Sequence, residues 1–140
     1  MADHLTPRER SELMSRIHGK NTKPEIFVRS MLHRKGYRFS LHRKDLPGKP
    51  DIVLRKYRSV IFVHGCFWHR HKGCKNATEP KTNIEFWQKK FERNVFNDQK
   101  HARELRRLGW HVITVWECQL KKPDRVFRRL EKALAENKHL

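Results

Sequence analysis

The sequence lacks long apolar runs, internal repeats and low-complexity tracts. No apolar run approaches the roughly 18 residues that a membrane-spanning helix needs. The first four residues also lack the charged and then apolar layout of a signal peptide. We therefore expect a soluble cytoplasmic protein without a membrane partner, folded as one domain over residues 1–140.

Acidic residues are scarce, with 15 Asp and Glu against 33 Lys and Arg, so the net charge is +18. The excess of positive charge extends along the whole chain and is not confined to a basic tail. Such a field attracts a polyanion and binds it in a salt-dependent way. A merely soluble basic protein or a ribosomal protein is the alternative, but charge together with the motifs below favours a nucleic-acid partner.

Cysteines are few and odd in number, so a disulfide framework would leave one of the three unpaired. Cys66 and Cys74 share one loop with His69 and His71, and Cys118 follows the last predicted strand. Three thiolates and one imidazole suit a closed, structural zinc site. Spacing alone leaves either histidine as the fourth ligand, and three ordinary buried cysteines are the competing interpretation.

Three threonines are followed three residues later by a glutamate, which is the pattern of a helix-capping box. They are Thr6, Thr22 and Thr82. These starts predict helices over about 7–17, from Thr22 to Gly36 and from Thr82 to Leu108, and a last helix begins near Pro123. Strands are predicted over 37–41, 51–54, 59–63 and 110–116, the third of them central because it is apolar throughout. This order predicts an α/β fold, a mixed central sheet flanked by helices.

Asp51 opens a predicted strand, and the neighbouring strand ends at Val63 and His64. A hairpin would set these two strand ends side by side. A carboxylate and a main-chain carbonyl are hard oxygen ligands of the kind that Mg²⁺ prefers. An aspartate before a strand is also a common turn residue, so Asp51 alone does not decide the matter.

Asp98 falls on the apolar stripe of the long predicted helix. The stripe consists of Ile84, Trp87, Phe91, Val95, Ala102, Leu105 and Leu108. A carboxylate on a buried face needs a partner. A histidine from the preceding loop would make a general base with Asp98, whereas an arginine would make a structural salt bridge.

Aromatic residues accompany the cysteine loop. Phe67 and Trp68 lie inside it, and Trp87 follows in the long helix. Large apolar side chains on a rigid, basic loop can form a wedge that inserts between base pairs. For Trp87, a place in the core is the strong alternative.

Five segments then carry a resemblance to a known family. They are Pro47-Gly48-Lys49-Pro50-Asp51, Val60 to His71 with its string His64-Gly65-Cys66-Phe67-Trp68-His69, Glu85-Phe86-Trp87, Asn94-Val95 with Asp98, and Leu108 to Cys118. Over residues 8–120 the sequence closely resembles the very-short-patch-repair (Vsr) mismatch endonucleases. The resemblance implies a variant of the restriction-endonuclease-like (PD-(D/E)XK) fold, structural zinc and a Mg²⁺ requirement. It also implies a bacterial enzyme that nicks on the 5′ side of the T in a T:G mismatch, which arises by deamination of 5-methylcytosine.

The resemblance also implies roles for individual residues. It assigns the catalytic metal to Asp51, beside which the hairpin places the Val63 carbonyl as a second ligand. It assigns the general base to His69 supported by Asp98, and a second active-site histidine to His64. It assigns zinc to Cys66, His71, Cys74 and Cys118, and DNA intercalation to Met14, Phe67, Trp68 and Trp87. Residues 1–22 would be a DNA-contacting arm and residues 23–140 the catalytic core. A monomer is expected, because one nicked strand needs one active site.

Two positions depart from related nucleases. The commoner enzymes of the implied fold carry an acidic residue and a lysine where this chain has Val63 and Gly65, and Vsr proteins often have threonine at the position of Val63. The valine is harmless if only its carbonyl binds metal. Two alternative functions are a nuclease of the same fold with another DNA target and a zinc-bearing DNA-binding module without catalysis.

Overall fold

A computed structural model of the protein describes residues 22–137. Within this range three helices flank a four-stranded sheet, which is an α/β fold as expected. The elements are α1 (Lys23–Arg34), β1 (Ser40–Leu41), β2 (Ile52–Leu54), β3 (Ser59–His64), α2 (Ile84–Arg107), β4 (His111–Trp116) and α3 (Pro123–Glu136). The expected helix over 7–17, its cap at Thr6 and the DNA-contacting Met14 lie outside the described residues.

The sheet is mixed, in the order β1-β2-β3-β4. The first three strands form an antiparallel meander, and β4 runs parallel to β3 with Val63 opposite Val115. The central, doubly covered position predicted for β3 is confirmed, since five of its six residues are buried. The first strand is shorter than predicted, because Tyr37 and Phe39 pack against the core before the pairing begins.

Each face of the sheet has its own core. Side chains on a strand alternate between faces, so Ile52 and Leu54 point one way and Val53 the other. The larger core lies under α1 and α3 and contains Val28, Leu32, Ile61, Val115, Leu130 and Leu134. The smaller core joins α2 to the opposite face through Val60, Leu105 and Trp110. The sheet is therefore covered on both sides.

The apolar stripe predicted for α2 is only partly right. Phe91 and Leu105 are buried, but Ile84 and Leu108 are 58% and 55% exposed. The helix has 24 residues and is about 36 Å long. Its C-terminal half packs on the sheet through Leu105, while its N-terminal half packs on aromatic residues of the loop after β3. In residues 22–137, no helix is both long and apolar enough to cross a membrane.

The capping boxes differ from the sequence pattern in two places. The Thr22 hydroxyl accepts the Glu25 amide at 3.4 Å, but the Glu25 carboxylate turns toward His42 and Arg29 and does not close the box. Thr82 does not cap α2, which begins one residue later than such a cap requires. The preceding Asn83 has the left-handed conformation (φ 52°, ψ 44°), which is incompatible with the extended cap backbone that a box needs.

Candidate active site and metal centre

The candidate site lies where β3 and β4 end and β2 begins. Antiparallel pairing of β2 with β3, and parallel pairing of β3 with β4, bring these three strand ends to one edge of the sheet. A cleft of 1470 Å³ opens there, between that edge and α2. Its lining includes Glu25, Asp51, His64, His69 and Asp98.

Asp51 lies against the end of β3, as the hairpin predicted. Its Oδ2 atom accepts the backbone N–H of Val63 at 2.7 Å. The N–H and C=O of one strand residue point toward the same neighbouring strand. The Val63 carbonyl therefore faces the same side as Asp51, and the valine side chain, which packs in the larger core, takes no part in this arrangement.

Glu25 is a site residue that the sequence analysis missed. It is 1% exposed, and its carboxylate lies beside that of Asp51, with ligand atoms within 4.8 Å. The His42 Nε2 atom lies 2.9 and 2.8 Å from the two Glu25 oxygens. Glu25, His42 and Asp51 thus offer three ligand atoms within 4.8 Å of one another. A signal was present, because Glu25 falls on the same helix stripe as Val28 and Leu32.

Burial raises the pKa of Asp51 from 3.8 to about 7. The Val63 amide opposes this shift by stabilising the carboxylate, and the negative charge of Glu25 reinforces it. Two adjacent buried carboxylates repel each other, and a proton or a cation bound between them relieves this repulsion. A divalent cation that binds here therefore competes with a proton near neutral pH.

His69 and Asp98 form the pair that the stripe of α2 predicted. The distance from His69 Nδ1 to Asp98 Oδ2 is 2.6 Å, with side-chain exposures of 16% and 28%. An arginine partner for Asp98 is not required. A carboxylate at Nδ1 stabilises the tautomer whose other nitrogen can accept a proton, which is the arrangement of a general base.

His64 stacks on His69, with ring centroids 3.8 Å apart and planes at 4°. With Asp98, these histidines also lie close enough together to be considered as a metal cluster. However, the nitrogen lone pairs lie in the ring planes, and parallel rings direct them side by side rather than toward one point. The stacked rings therefore do not suit one cation held by both imidazoles.

The four sulfur and nitrogen ligands expected for zinc converge. Cys66, His71, Cys74 and Cys118 offer ligand atoms within 4.8 Å of one another. The His71 Nδ1 atom lies 3.3 Å from the Cys118 sulfur and 3.7 Å from that of Cys66. The structure thus places His71 among the thiols and His69 against Asp98, a choice that spacing left open.

The chemistry of these thiols fits a metal cation. Burial raises the pKa of the Cys66 thiol to about 12, whereas hydrogen bonding to the Asn76 backbone lowers the pKa of the Cys74 thiol. A bound metal supplies the positive charge that holds such thiols as thiolates. The backbone N–H of Cys118 also donates to the Cys66 sulfur at 3.4 Å, a contact that orients this ligand.

Arg70 holds the loop after β3 in shape. Its guanidinium donates to the carbonyls of Phe67, Ala77 and Thr78 at 3.3, 3.1 and 3.0 Å, and to the Glu79 carboxylate at 2.9 Å. This set of contacts closes the loop around the cysteine cluster. The Arg70 guanidinium is thus committed to the loop itself.

The expected wedge residues form one aromatic cluster. Phe67 lies 5.2 Å from Trp68 and 6.2 Å from Trp87, and Trp68 lies 5.5 Å from Trp87, all between ring centroids. Phe67 also packs edge-to-face on Phe91 at 5.2 Å. Phe67 and Trp87 are half-buried, whereas Trp68 is only 9% exposed.

Known proteins resemble this chain over most of its length. It is 52% identical over 120 residues to the type II nicking enzyme V.XorIIP of Xanthomonas oryzae pv. oryzae, covering 86% of this chain and 88% of that protein. It is 44% identical over 138 residues to the type II nicking enzyme V.NmeAIP of Neisseria meningitidis serogroup A, covering 99% and 98%. It is 42% identical over 121 residues to the DNA mismatch endonuclease Vsr of Escherichia coli K12, covering 86% and 77%.

The fold has a solved counterpart in the catalytic domain of the homing endonuclease I-Bth0305I. The TM-score is 0.57 at 20% identity, covering 84% of this chain and 98% of that one, and the mixed sheet is consistent with a restriction-endonuclease-like fold. Residues 2–76 match the family model described as DNA mismatch endonuclease Vsr. On this match and the three sequence relatives, the chain belongs to the Vsr family of DNA mismatch endonucleases and is an enzyme that cuts DNA.

Proposed function

We propose that the protein nicks one strand of duplex DNA on the 5′ side of the mispaired T in a T:G mismatch, by Mg²⁺-dependent hydrolysis. The observation that carries the proposal is one cleft that contains both Asp51, set against Val63, and the His69–Asp98 pair. A non-catalytic DNA-binding module would need neither. The names of the relatives as mismatch endonuclease and nicking enzymes agree with this function.

In the proposed mechanism Asp51 and the Val63 carbonyl hold Mg²⁺. Both are oxygen donors, and the remaining positions are left for water and a phosphate oxygen. The cation would neutralise charge that develops on the scissile phosphate. Because the main chain provides the second ligand, a valine at position 63 is compatible with this role.

His69 is the proposed general base. It takes the proton of the attacking water, and the Asp98 carboxylate stabilises the resulting imidazolium. His64, which stacks on His69 and lines the same cleft, would assist at the phosphate.

We propose that Zn²⁺ occupies the cluster of Cys66, His71, Cys74 and Cys118 and serves structure only. Four protein ligands fill a tetrahedral site and leave no position for a reacting water. The ion would tie the loop after β3, which carries His69, to the end of β4. Zinc would thereby fix the general base relative to Asp98.

The proposed recognition combines charge with the aromatic cluster. A net charge of +18 attracts the phosphate backbone without regard to sequence. Phe67, Trp68 and Trp87 would insert beside the mismatch, where base pairs are most easily unstacked. Since Trp68 is 9% exposed, its insertion requires this cluster to open on DNA. Met14 would enter from the other groove, and the enzyme would act as a monomer.

The test is a nicking assay on matched duplexes. The strand that carries the T has a 5′ label. The duplexes share one sequence and contain T:G, another mismatch or a fully paired site, and each is incubated with and without Mg²⁺. We expect one labelled product, cut 5′ of the T, only with T:G and Mg²⁺. Equal cutting of another mismatch would point to a different DNA target, and binding without cutting in any duplex would point to a non-catalytic module.

A further inference from the structure

His42 is a half-buried histidine that the proposed mechanism does not use, and it faces the proposed cation site. Its Nε2 atom contacts both oxygens of Glu25 at 2.8 and 2.9 Å, and its side chain is 14% exposed. The three residues Glu25, His42 and Asp51 offer ligand atoms within 4.8 Å of one another.

The backbone holds His42 in this position. His42 follows β1 directly and has φ 47°, a left-handed conformation in which histidine is enriched among residues other than glycine. Its backbone N–H donates to the Asp51 carbonyl at 3.2 Å. The pairing of β1 with β2 therefore holds the backbones of His42 and Asp51 side by side.

A purely structural role for His42 would be to neutralise Glu25. Arg29 already donates to the same carboxylate at 3.1 Å, so Glu25 has a cationic partner without His42. An imidazole nitrogen beside two carboxylates is also a mixed donor set. Mg²⁺ binds almost entirely through oxygen. Nitrogen donors favour first-row transition metals, for which affinity rises from Mn²⁺ onward.

We propose that His42 is a nitrogen ligand of the divalent cation bound by Asp51 and Glu25, so that this site binds Mn²⁺ more tightly than Mg²⁺. The inference rests on the proposed cation site at Asp51. A cation between the three groups takes the place of the hydrogen bond between His42 and Glu25. When a cation is bound, the His42 side chain therefore determines which metal the site prefers.

The experiment uses the full-length, zinc-loaded protein with Mn²⁺ as the probe. Pulsed electron paramagnetic resonance of bound Mn²⁺ detects a directly coordinated nitrogen through its hyperfine coupling. The wild-type protein should show this coupling, and uniform replacement of histidine nitrogen by ¹⁵N should change it. The labelled wild-type protein thus tests nitrogen ligation without any substitution.

His42→Asn identifies the ligand, because asparagine tolerates the left-handed backbone. We expect this variant to lose the nitrogen coupling and to bind Mn²⁺ about 10-fold more weakly or worse, because the loss of even an outer-shell partner typically costs about 10–100-fold in metal affinity. Mg²⁺ affinity should change much less. His33→Asn, at an exposed position of α1, is the matched control and should behave as wild type. Zinc content and the melting temperature verify that each variant is folded.

Two kinds of result would overturn the proposal, and the experiment distinguishes them. If Asp51→Asn abolishes Mn²⁺ binding but the wild-type spectrum has no nitrogen coupling, or the coupling survives in His42→Asn, then His42 only hydrogen-bonds Glu25 and the proposed function stands. If Mn²⁺ binds Asp51→Asn as tightly as wild type, the cation is not held at Asp51. That second result overturns both the role of His42 and the proposed metal mechanism.

Discussion

His69 and Asp98 come from different elements, the loop after β3 and the middle of α2. Their 2.6 Å contact depends on the loop being closed against the helix, and Asn94 contributes by donating to the Trp68 carbonyl at 3.2 Å. A carboxylate that orients an imidazole acts with it as one unit. Members of such a unit give non-additive losses when both are replaced.

We expect His69→Ala to lower the nicking rate by about 10²–10⁴, the usual range for losing a general base. Asp98→Asn should cost less, since the imidazole remains but loses its orienting charge. The double variant should be scarcely slower than His69→Ala alone in single-turnover assays at saturating Mg²⁺. If the two losses multiply instead, Asp98 is a structural partner, and His64 becomes the candidate base.

Burial of Asp51 should make the stability of the folded protein depend on pH. In the folded protein burial raises the pKa of Asp51 to about 7, against 3.8 as its ordinary value, so the folded state binds this proton more tightly. The contribution of the protonated Asp51 to the stability of the folded protein is fully present below about pH 4 and is lost as pH rises through 7. Without Mg²⁺, Asp51→Asn should therefore melt at a higher temperature than wild type at pH 7.5, by a clearly smaller margin at pH 5, and should differ little below about pH 4.

The same variant should abolish nicking while leaving mismatch binding within a few-fold. Asp124→Asn, an exposed carboxylate at the start of α3, is the control and should change neither property. Full nicking activity of Asp51→Asn in Mg²⁺ would contradict the proposed metal site. An unchanged melting difference between pH 5 and 7.5 would show that Asp51 ionises normally in the folded protein.

The loop after β3 is the element that brings His69 to Asp98 and so completes the candidate site. It carries His69, Phe67 and Trp68, and apart from short turns it has no regular structure between β3 and α2. Within the loop, the Arg70 guanidinium donates to the carbonyls of Ala77 and Thr78. The cysteine cluster connects the loop to Cys118, which follows β4. The order of this element thus depends on contacts that are distant in sequence.

Cys118→Ser tests the attachment to β4. We expect the wild-type protein to contain one zinc per chain and the variant to lose it, with a large fall in melting temperature, because metal binding and folding are coupled at structural sites. Glu117→Ser, at the exposed neighbouring position, should keep zinc and stability. Elemental analysis that finds no zinc in the wild-type protein would end this hypothesis.

The aromatic cluster predicts how mismatched DNA is distinguished. Trp68 is too buried for a clean test, since its removal would leave a cavity that costs about 3–5 kcal/mol of stability. Phe67→Leu keeps most of the apolar volume at a half-buried position. We expect it to weaken binding to T:G duplexes several-fold more than to paired duplexes, whereas Lys89→Ala should weaken both equally. Equal weakening by Phe67→Leu would count against insertion.

At the scale of the whole molecule, the charge and the aromatic cluster have separable effects on DNA binding. The net charge of +18 acts on any duplex and is screened by salt. Raising salt from about 50 to about 200 mM should lower affinity by about 10³–10⁵ if six to ten phosphates are contacted. The ratio of affinities for T:G and paired duplexes should stay nearly constant, as a salt titration by fluorescence anisotropy would measure.

Local patterns in the sequence were sufficient to predict much of the fold and part of the candidate site. Strand and helix periodicity, together with turn residues, predicted the mixed sheet, the central β3 and the meeting of Asp51 with Val63. Asp98 could be identified because it interrupts the periodicity of one helix. These predictions succeeded because periodicity and hairpin geometry act over a few neighbouring residues. The family resemblance of the motifs was likewise confirmed by the comparisons.

Tertiary packing decided what local patterns could not. Glu25 fits a capping box as sequence, but packing of α1 against the sheet directs its carboxylate to Asp51 and His42, and β1–β2 pairing brings His42 there. Both His69 and His71 fit the zinc spacing, and only the folded loop separates them. Ile84 and Leu108, at the two ends of the predicted stripe, are exposed because α2 extends beyond the core on which it packs. Each outcome depends on contacts between distant segments, whose free energies no local pattern contains.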